Sequence, residues 1–237
     1  YGNIFVMLRQ LLVFTKPITN QIFDGGVNLY CGMLAVLTMF LYLFVKEHPW
    51  KKFRKYVLLV LLVISFNHGT LNYIWHGMHD QYGIPNRFSF VFIFVLLVMA
   101  YDAVQSITEI DIYFVISSIL LAGAFAFACK QQAGATIGKY TLPASLVLLV
   151  IYGVTCCLRT SKKITHATYI SVIGSVCLVE LVANAAYGFS ENGYCHYKQY
   201  YKTSPAVTEA NVRVRELAEE EQAGFYRSEL MNYTVLD

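Results

Sequence analysis

Long apolar runs constrain this chain more than any other feature. They fall near residues 27–45, 56–75, 88–105, 112–129, 140–158 and 167–187, each close to the roughly 20 residues that an α-helix needs to cross about 30 Å of hydrocarbon. Inside lipid every backbone N–H and C=O must be satisfied within the protein, which leaves helices as the open-ended solution. The sequence therefore predicts an all-α membrane protein, a polytopic transmembrane helix bundle of about six spans. Composition agrees, because 57% hydrophobic and 14% charged residues with a mean hydropathy of +0.49 lie outside the usual range of soluble domains. The formal charge of +3 sits in a few short blocks, and no basic face interleaved with aromatics points to a nucleic acid.

Those blocks set an expected orientation. Residues 46–55 and 159–163 hold the densest lysine and arginine clusters, so the positive-inside rule places both in the cytoplasm. Alternation then puts the 77–87 loop, the 130–139 loop and the tail after Tyr187 outside, while the 106–111 turn lies inside without any Lys or Arg. The opening stretch, 4–14, is short and carries Arg9 and Gln10, so it reads as the end of a preceding membrane helix or as an interfacial piece. With no initiator Met and no signal-peptide pattern, the chain reads as an internal piece of a longer one.

The tail is different in character. Ser204 and Pro205 can cap and open a helix with Val207, Ala210, Val214 and Leu217 on one face. Glu219, Glu220 and Glu221 then form a solvated run, Gly224 is a stop, and 225–230 alternates like a strand that has just begun. The expected division is 1–26 as the end of a membrane or interfacial segment, 27–187 as the bundle, and 188–237 as the start of an external α+β soluble domain. Cys31, Cys129, Cys156, Cys157 and Cys177 lie in or beside apolar runs and Cys195 stands in the tail. No disulfide framework or zinc spacing follows, and the membrane cysteines read as small packing residues.

Polar side chains interrupt the apolar pattern at one place above all. If the second helix continues through Trp75, then His68, Asn72 and His76 share one face, with Asn67 and Trp75 beside it. Such a stripe at membrane depth is a functional candidate by default, and the plain alternative is interhelical hydrogen bonding that glues the bundle. The short loop that follows can hold His79, Asp80 and Arg87 in fixed positions. The planar Arg87 fork suits a phosphate of a lipid-linked substrate, or else anchors the chain at the head-group level. A metal site from His76 and His79 is possible in principle but lacks a third ligand, so the cofactor stays open: a divalent metal is possible, with no motif for it. Glu180, with Asn184 one turn on, is an acid well inside the last helix that would neutralise or find a cation, for which His76 or Arg87 is expected. Asp102 reads as a residue reaching water at the inner end of the third helix.

Asn72-x-x-Trp75-His76-Gly77 followed by Pro85-x-Arg87-Phe88-Ser89-Phe90 resembles the signature of the bacterial YfhO-type membrane proteins. Asn28-Leu29-Tyr30-Cys31-Gly32, Glu180-Leu181-x-x-Asn184 and Phe225-Tyr226-Arg227 extend the resemblance over nearly the whole chain. The family is similar to multi-spanning glycosyltransferases of the GT-C type, which take a sugar from a polyprenyl-phosphate carrier and add it to a polymer outside the membrane. The resemblance implies a bacterial plasma-membrane location, an extracytoplasmic tail, and a cell-envelope polymer acceptor such as lipoteichoic or teichoic acid. It also implies substrate contacts at Asn72, Trp75, His76, His79 and Arg87, supported by Asn28, Glu180 and Asn184. In such enzymes the acid sits in a first outer loop, which would lie upstream of Tyr1. Within this chain Asp24, Asp80 and Glu180 remain the carboxylate candidates.

Two other readings stay open. A transporter or flippase would line a wet midplane cavity with Asn72, His76 and Glu180, and would show internal repeats. A structural scaffold would use the same residues as glue for an external domain.

Overall fold

The computed structural model describes residues 4–18, 27–79, 86–133, 138–192 and 205–220. Every regular element among them is helical. The chain divides into two compact units, Tyr1–Asn192 and Gly193–Asp237.

Three helices of the first unit are long and apolar enough to cross a membrane, and they lie where the apolar runs predict them. These are α6 (Ile112–Ala133), α7 (Thr141–Thr160) and α8 (His166–Asn192). Large apolar side chains on α8, among them Leu178, Val179, Leu181 and Val182, are exposed. That surface would be a liability in water and is what a lipid-facing helix presents. Two further apolar helices, α2 (Met33–Leu41) with its 3-10 extension Tyr42–Phe44, and α5 (Ser89–Gln105), are shorter.

The expected second span is not one helix. It is α3 (Pro49–Asn67) followed by α4 (Gly69–Trp75), bent by 108° at His68. His68 sits at φ −118°, ψ 115°, ending one helix and capping the next. Asn67 and Gly69, both poor helix formers, flank it and lower the cost of the break. The stripe of His68, Asn72 and His76 therefore does not continue α3 but follows α4, from its N-cap to its C-cap. The Asn72 N–H donates to the His68 C=O at 2.9 Å and the His76 N–H to the Asn72 C=O at 3.1 Å.

The first span also differs from expectation. Helix starts only at Met33, because Gly32 takes φ +100°, a conformation that glycine alone adopts without steric cost. From there α2 buries Met33, Val36, Leu37 and Leu41 together with Ala35 and Thr38. Burial all round marks it as the central helix, and it packs on α5, α6 and α7. The opening segment lies inside the bundle too. After α1 (Ile4–Leu8), the 3-10 turn Arg9–Leu11 and residues Leu12 and Val13 are buried, with the Gln10 amide donating to the Lys16 carbonyl at 3.0 Å.

Helices α6 and α7 approach closely at Gly153, where a side-chain carbon would overlap Ile119. At the basic end, Lys55 of α3 reaches Asp102 of α5 at 2.7 Å and the Tyr42 hydroxyl at 2.6 Å, while the Tyr42 hydroxyl donates to Glu47. Asp102 is thus an ion-pair partner that ties α3 to α5, rather than a residue merely reaching water.

In the second unit, α9 (Pro205–Glu220) starts at Pro205 as the sequence suggests, a position where the fixed φ and missing N–H of proline cost nothing. Arg213 and Glu216 pair across one exposed turn at 3.0 Å. Gly224 and the strand expected at 225–230 lie outside the described residues, as do Asp24, Asp80 and Cys195.

Candidate functional site

Polar residues at the end of the bundle opposite the basic blocks fall into two groups. The first is built around Glu180, which is 3% exposed. One carboxylate oxygen accepts from the Tyr30 hydroxyl at 2.5 Å and from the Met33 N–H at 2.6 Å. The other accepts from the Tyr152 hydroxyl at 2.6 Å, which also lies 3.1 Å from the Cys177 sulfur. Three donors converge on one carboxylate in a dry interior, which is how a buried acid avoids an uncompensated charge. Met33 opens α2, so Glu180 also caps a helix N-terminus whose dipole favours a negative group. His76 and Arg87, the cations expected beside Glu180, are not its partners. A groove of about 440 Å³ between α7 and α8 reaches Glu180, but its walls are mainly apolar, with Val147, Ile151 and Val179 among them.

Asn184, one turn beyond Glu180, accepts from the Phe14 N–H at 2.8 Å. The Phe14 carbonyl accepts from the Thr141 hydroxyl at 2.7 Å, and its ring meets Tyr187 edge-on at 5.4 Å. Phe14 has φ +54°, strained for a bulky residue, so the clamp from α7 and α8 compensates the backbone. Asn28 does similar work. Its side chain accepts from the Ile18 N–H at 3.0 Å and donates to the Ile18 carbonyl at 3.1 Å. Glu180, Asn184 and Asn28 thus satisfy backbone groups of the irregular segments before α2 and at its first residue, where protein groups stand in for water.

The second group surrounds α4. The Asn72 amide donates to the side-chain oxygen of Asn86; Asn86 is buried at φ +59° and accepts the Ser89 N–H that starts α5. The Trp75 indole reaches back across the bend to the Ser65 hydroxyl at 3.2 Å and stacks on Phe88 at 5.2 Å. His76 is set edge-on to the same ring at 5.9 Å. Its Nδ1 lies 2.8 Å from the Asn72 carbonyl. A carbonyl can only accept, so Nδ1 carries a proton, and in the neutral form of the ring the lone pair would fall on Nε2. Nε2 is buried and has no hydrogen-bond partner among the described residues. Arg87, next to the buried Asn86, is exposed, and His79 is exposed beyond Met78.

The α4 segment thus carries the Asn-Trp-His run of the sequence on a largely exposed helix, tied to Asn86 and Phe88 just before α5. The family described as bacterial membrane protein YfhO matches residues 2–237. The chain belongs to the YfhO family. No curated protein and no solved structure matches it.

In this YfhO-family chain the structure brings Asn72, Trp75 and His76 together and joins them to Asn86 and Phe88, the neighbours of Arg87. It places Glu180 and Asn184 in separate backbone clamps. No three His, Cys, Asp or Glu side chains come together among the described residues. Sequence reasoning passed over Tyr30, Tyr152, Asn86, Ser65 and Phe14. Asn86 could have been found from its place between Pro85 and Arg87, since Asn tolerates positive φ better than most residues.

Proposed function

We propose that this YfhO-family chain is part of a membrane glycosyltransferase of the GT-C type. It moves a sugar from a polyprenyl-phosphate carrier to a cell-envelope polymer, a lipoteichoic or teichoic acid, on the outer face of the bacterial plasma membrane. The proposal includes six spans, a cytoplasmic basic end and an extracytoplasmic segment 188–237 that opens a soluble domain.

The observation that supports it best is the state of His76. Its ring is fixed by the Asn72 carbonyl and Phe88, and Nε2 is left without a hydrogen-bond partner among the described residues. In the transfer an acceptor hydroxyl attacks the anomeric carbon, the carbon–oxygen bond to phosphate breaks, and polyprenyl phosphate leaves with its electron pair. His76 is suited to position the hydroxyl or, once protonated, to donate to the departing phosphate. Arg87 supplies the fixed positive charge that the phosphate needs, while Trp75 and His79 flank the sugar. The hydroxyl proton goes to a carboxylate, and Asp80 is better suited than Glu180, whose two oxygens already accept three hydrogen bonds. The same bonds weigh against a flippase reading, which needs Glu180 to line a wet cavity.

Sugar transfer by Arg87→Ala and His76→Ala proteins tests the reading. Both are expected to fold and to lose transfer. Normal transfer by both would sink the proposal.

A further inference from the structure

We infer that the basic end of the bundle binds an anionic phospholipid in a groove between α3 and α5. The groove has a volume of about 410 Å³, with Lys51, Arg54 and Lys55 at its mouth. Its walls are Leu58 on α3 and Phe94, Val95 and Val98 on α5. On an α-helix Leu58 lies about 6 Å deeper than Arg54, and Phe94 lies about 12 Å deeper than Asp102. Charge is therefore at the rim and apolar surface runs inward, the order of a head group followed by an acyl chain.

The charges at the mouth are unevenly matched. Lys55 is held by Asp102 at 2.7 Å and Glu47 at 3.5 Å. Among the described residues Lys51 approaches only Glu47, at 4.0 Å, the same carboxylate that serves Lys55. Arg54 spends its Nε on the Trp50 carbonyl of its own helix at 3.3 Å, which leaves its terminal amino groups for another anion. Trp50 and Phe53 are exposed and meet edge-on at 5.7 Å, the aromatic pair that marks the head-group level of a membrane protein. Lys51 and Arg54 thus stand at phosphate depth with positive charge to spare. Basic pockets between membrane helices recognise anionic head groups in this way. A free phosphate would leave the apolar walls unused, and a zwitterionic lipid would use the excess charge poorly. An anionic glycerophospholipid uses both. The inference does not depend on the proposed transferase activity.

Native mass spectrometry of the purified protein, titrated with phosphatidylglycerol or with phosphatidylcholine of the same chains, tests this. The protein is expected to prefer phosphatidylglycerol, and the exposed double variant Lys51→Gln/Arg54→Gln to bind it on the order of tenfold more weakly. Lys162→Gln/Lys163→Gln, which removes equal charge from the same end, is expected to leave the preference intact. Val98→Phe, which narrows the groove and keeps every charge, is expected to weaken both lipids. Equal binding of the two lipids, equal loss in both double variants, or displacement by glycerol phosphate at the concentration of the lipid would overturn the proposal.

Discussion

The Glu180 carboxylate of α8 accepts a 2.6 Å hydrogen bond from the backbone N–H of Met33, the residue that opens α2 and lies 147 positions earlier. A helix with much exposed surface thus reaches in to cap the central one. Tyr30 and Tyr152 complete the arrangement by donating from the extended segment before α2 and from α7.

Truncating the shared acceptor strands all three donors, whereas removing one donor leaves the other two bonds. Glu180→Ala is expected to destabilise the protein by about 3 kcal/mol or more. Tyr30→Phe and Tyr152→Phe should each cost about 1 kcal/mol or less, as single interhelical hydrogen bonds do in membranes. Thermal unfolding in detergent checks the order. A mild Glu180→Ala variant would contradict it.

Phe14 offers a second test. Asn184→Ala removes the acceptor for its N–H and is expected to cost about 1–3 kcal/mol. Thr141→Val frees its carbonyl, and because both bonds hold one strained residue the two effects should not add. Hydrogen exchange is expected to rise over residues 12–18 before the bundle as a whole opens.

At the basic end the outcome depends on pH. Burial works against the Glu47 carboxylate, but the Tyr42 hydroxyl and the Lys55 charge outweigh it and hold the carboxyl below its usual range. A carboxyl depressed in the folded state contributes fully above its ordinary value of about 4.3 and loses that contribution as pH falls through the folded value. Melting temperature should therefore fall more steeply between about pH 5 and about pH 3 in the native protein than in Glu47→Gln. Parallel curves would show that Glu47 is not so coupled.

The contact of α6 with α7 depends on the missing side chain at 153. Gly153→Leu forces Ile119 to move and separates the helices, at an expected cost of about 1–3 kcal/mol. Gly174→Leu, whose position meets nothing within 4 Å, is the control and should melt like the native protein.

Much of the fold was legible because burial in lipid writes itself as length and hydropathy. Helices α5 to α8 begin within a residue or two of where the apolar runs predict them. The errors came where a tertiary partner overrides the run. Residues 27–32 are apolar enough for helix, yet Gly32 turns and Glu180 caps the helix that starts after it. Residues 56–75 read as one span, yet the Trp75 indole closes on Ser65 across a break. Glu180 could be singled out as the rare acid in an apolar helix, but not its partners, since the motif that holds Tyr30 does not pair it with Glu180 and nothing in the sequence ranks Tyr152 above the rest of 18 tyrosines.

The central claim is that α4 carries chemistry while the Glu180 and Asn184 clamps carry structure. Its most direct test is the rate of sugar transfer from a polyprenyl-phosphate donor by purified His76→Ala protein, measured beside its melting temperature. The expected result is an unchanged melting temperature with transfer reduced about 100-fold, the scale of a lost general acid–base group. A His76→Ala protein that melts normally and transfers sugar at the native rate would contradict the account.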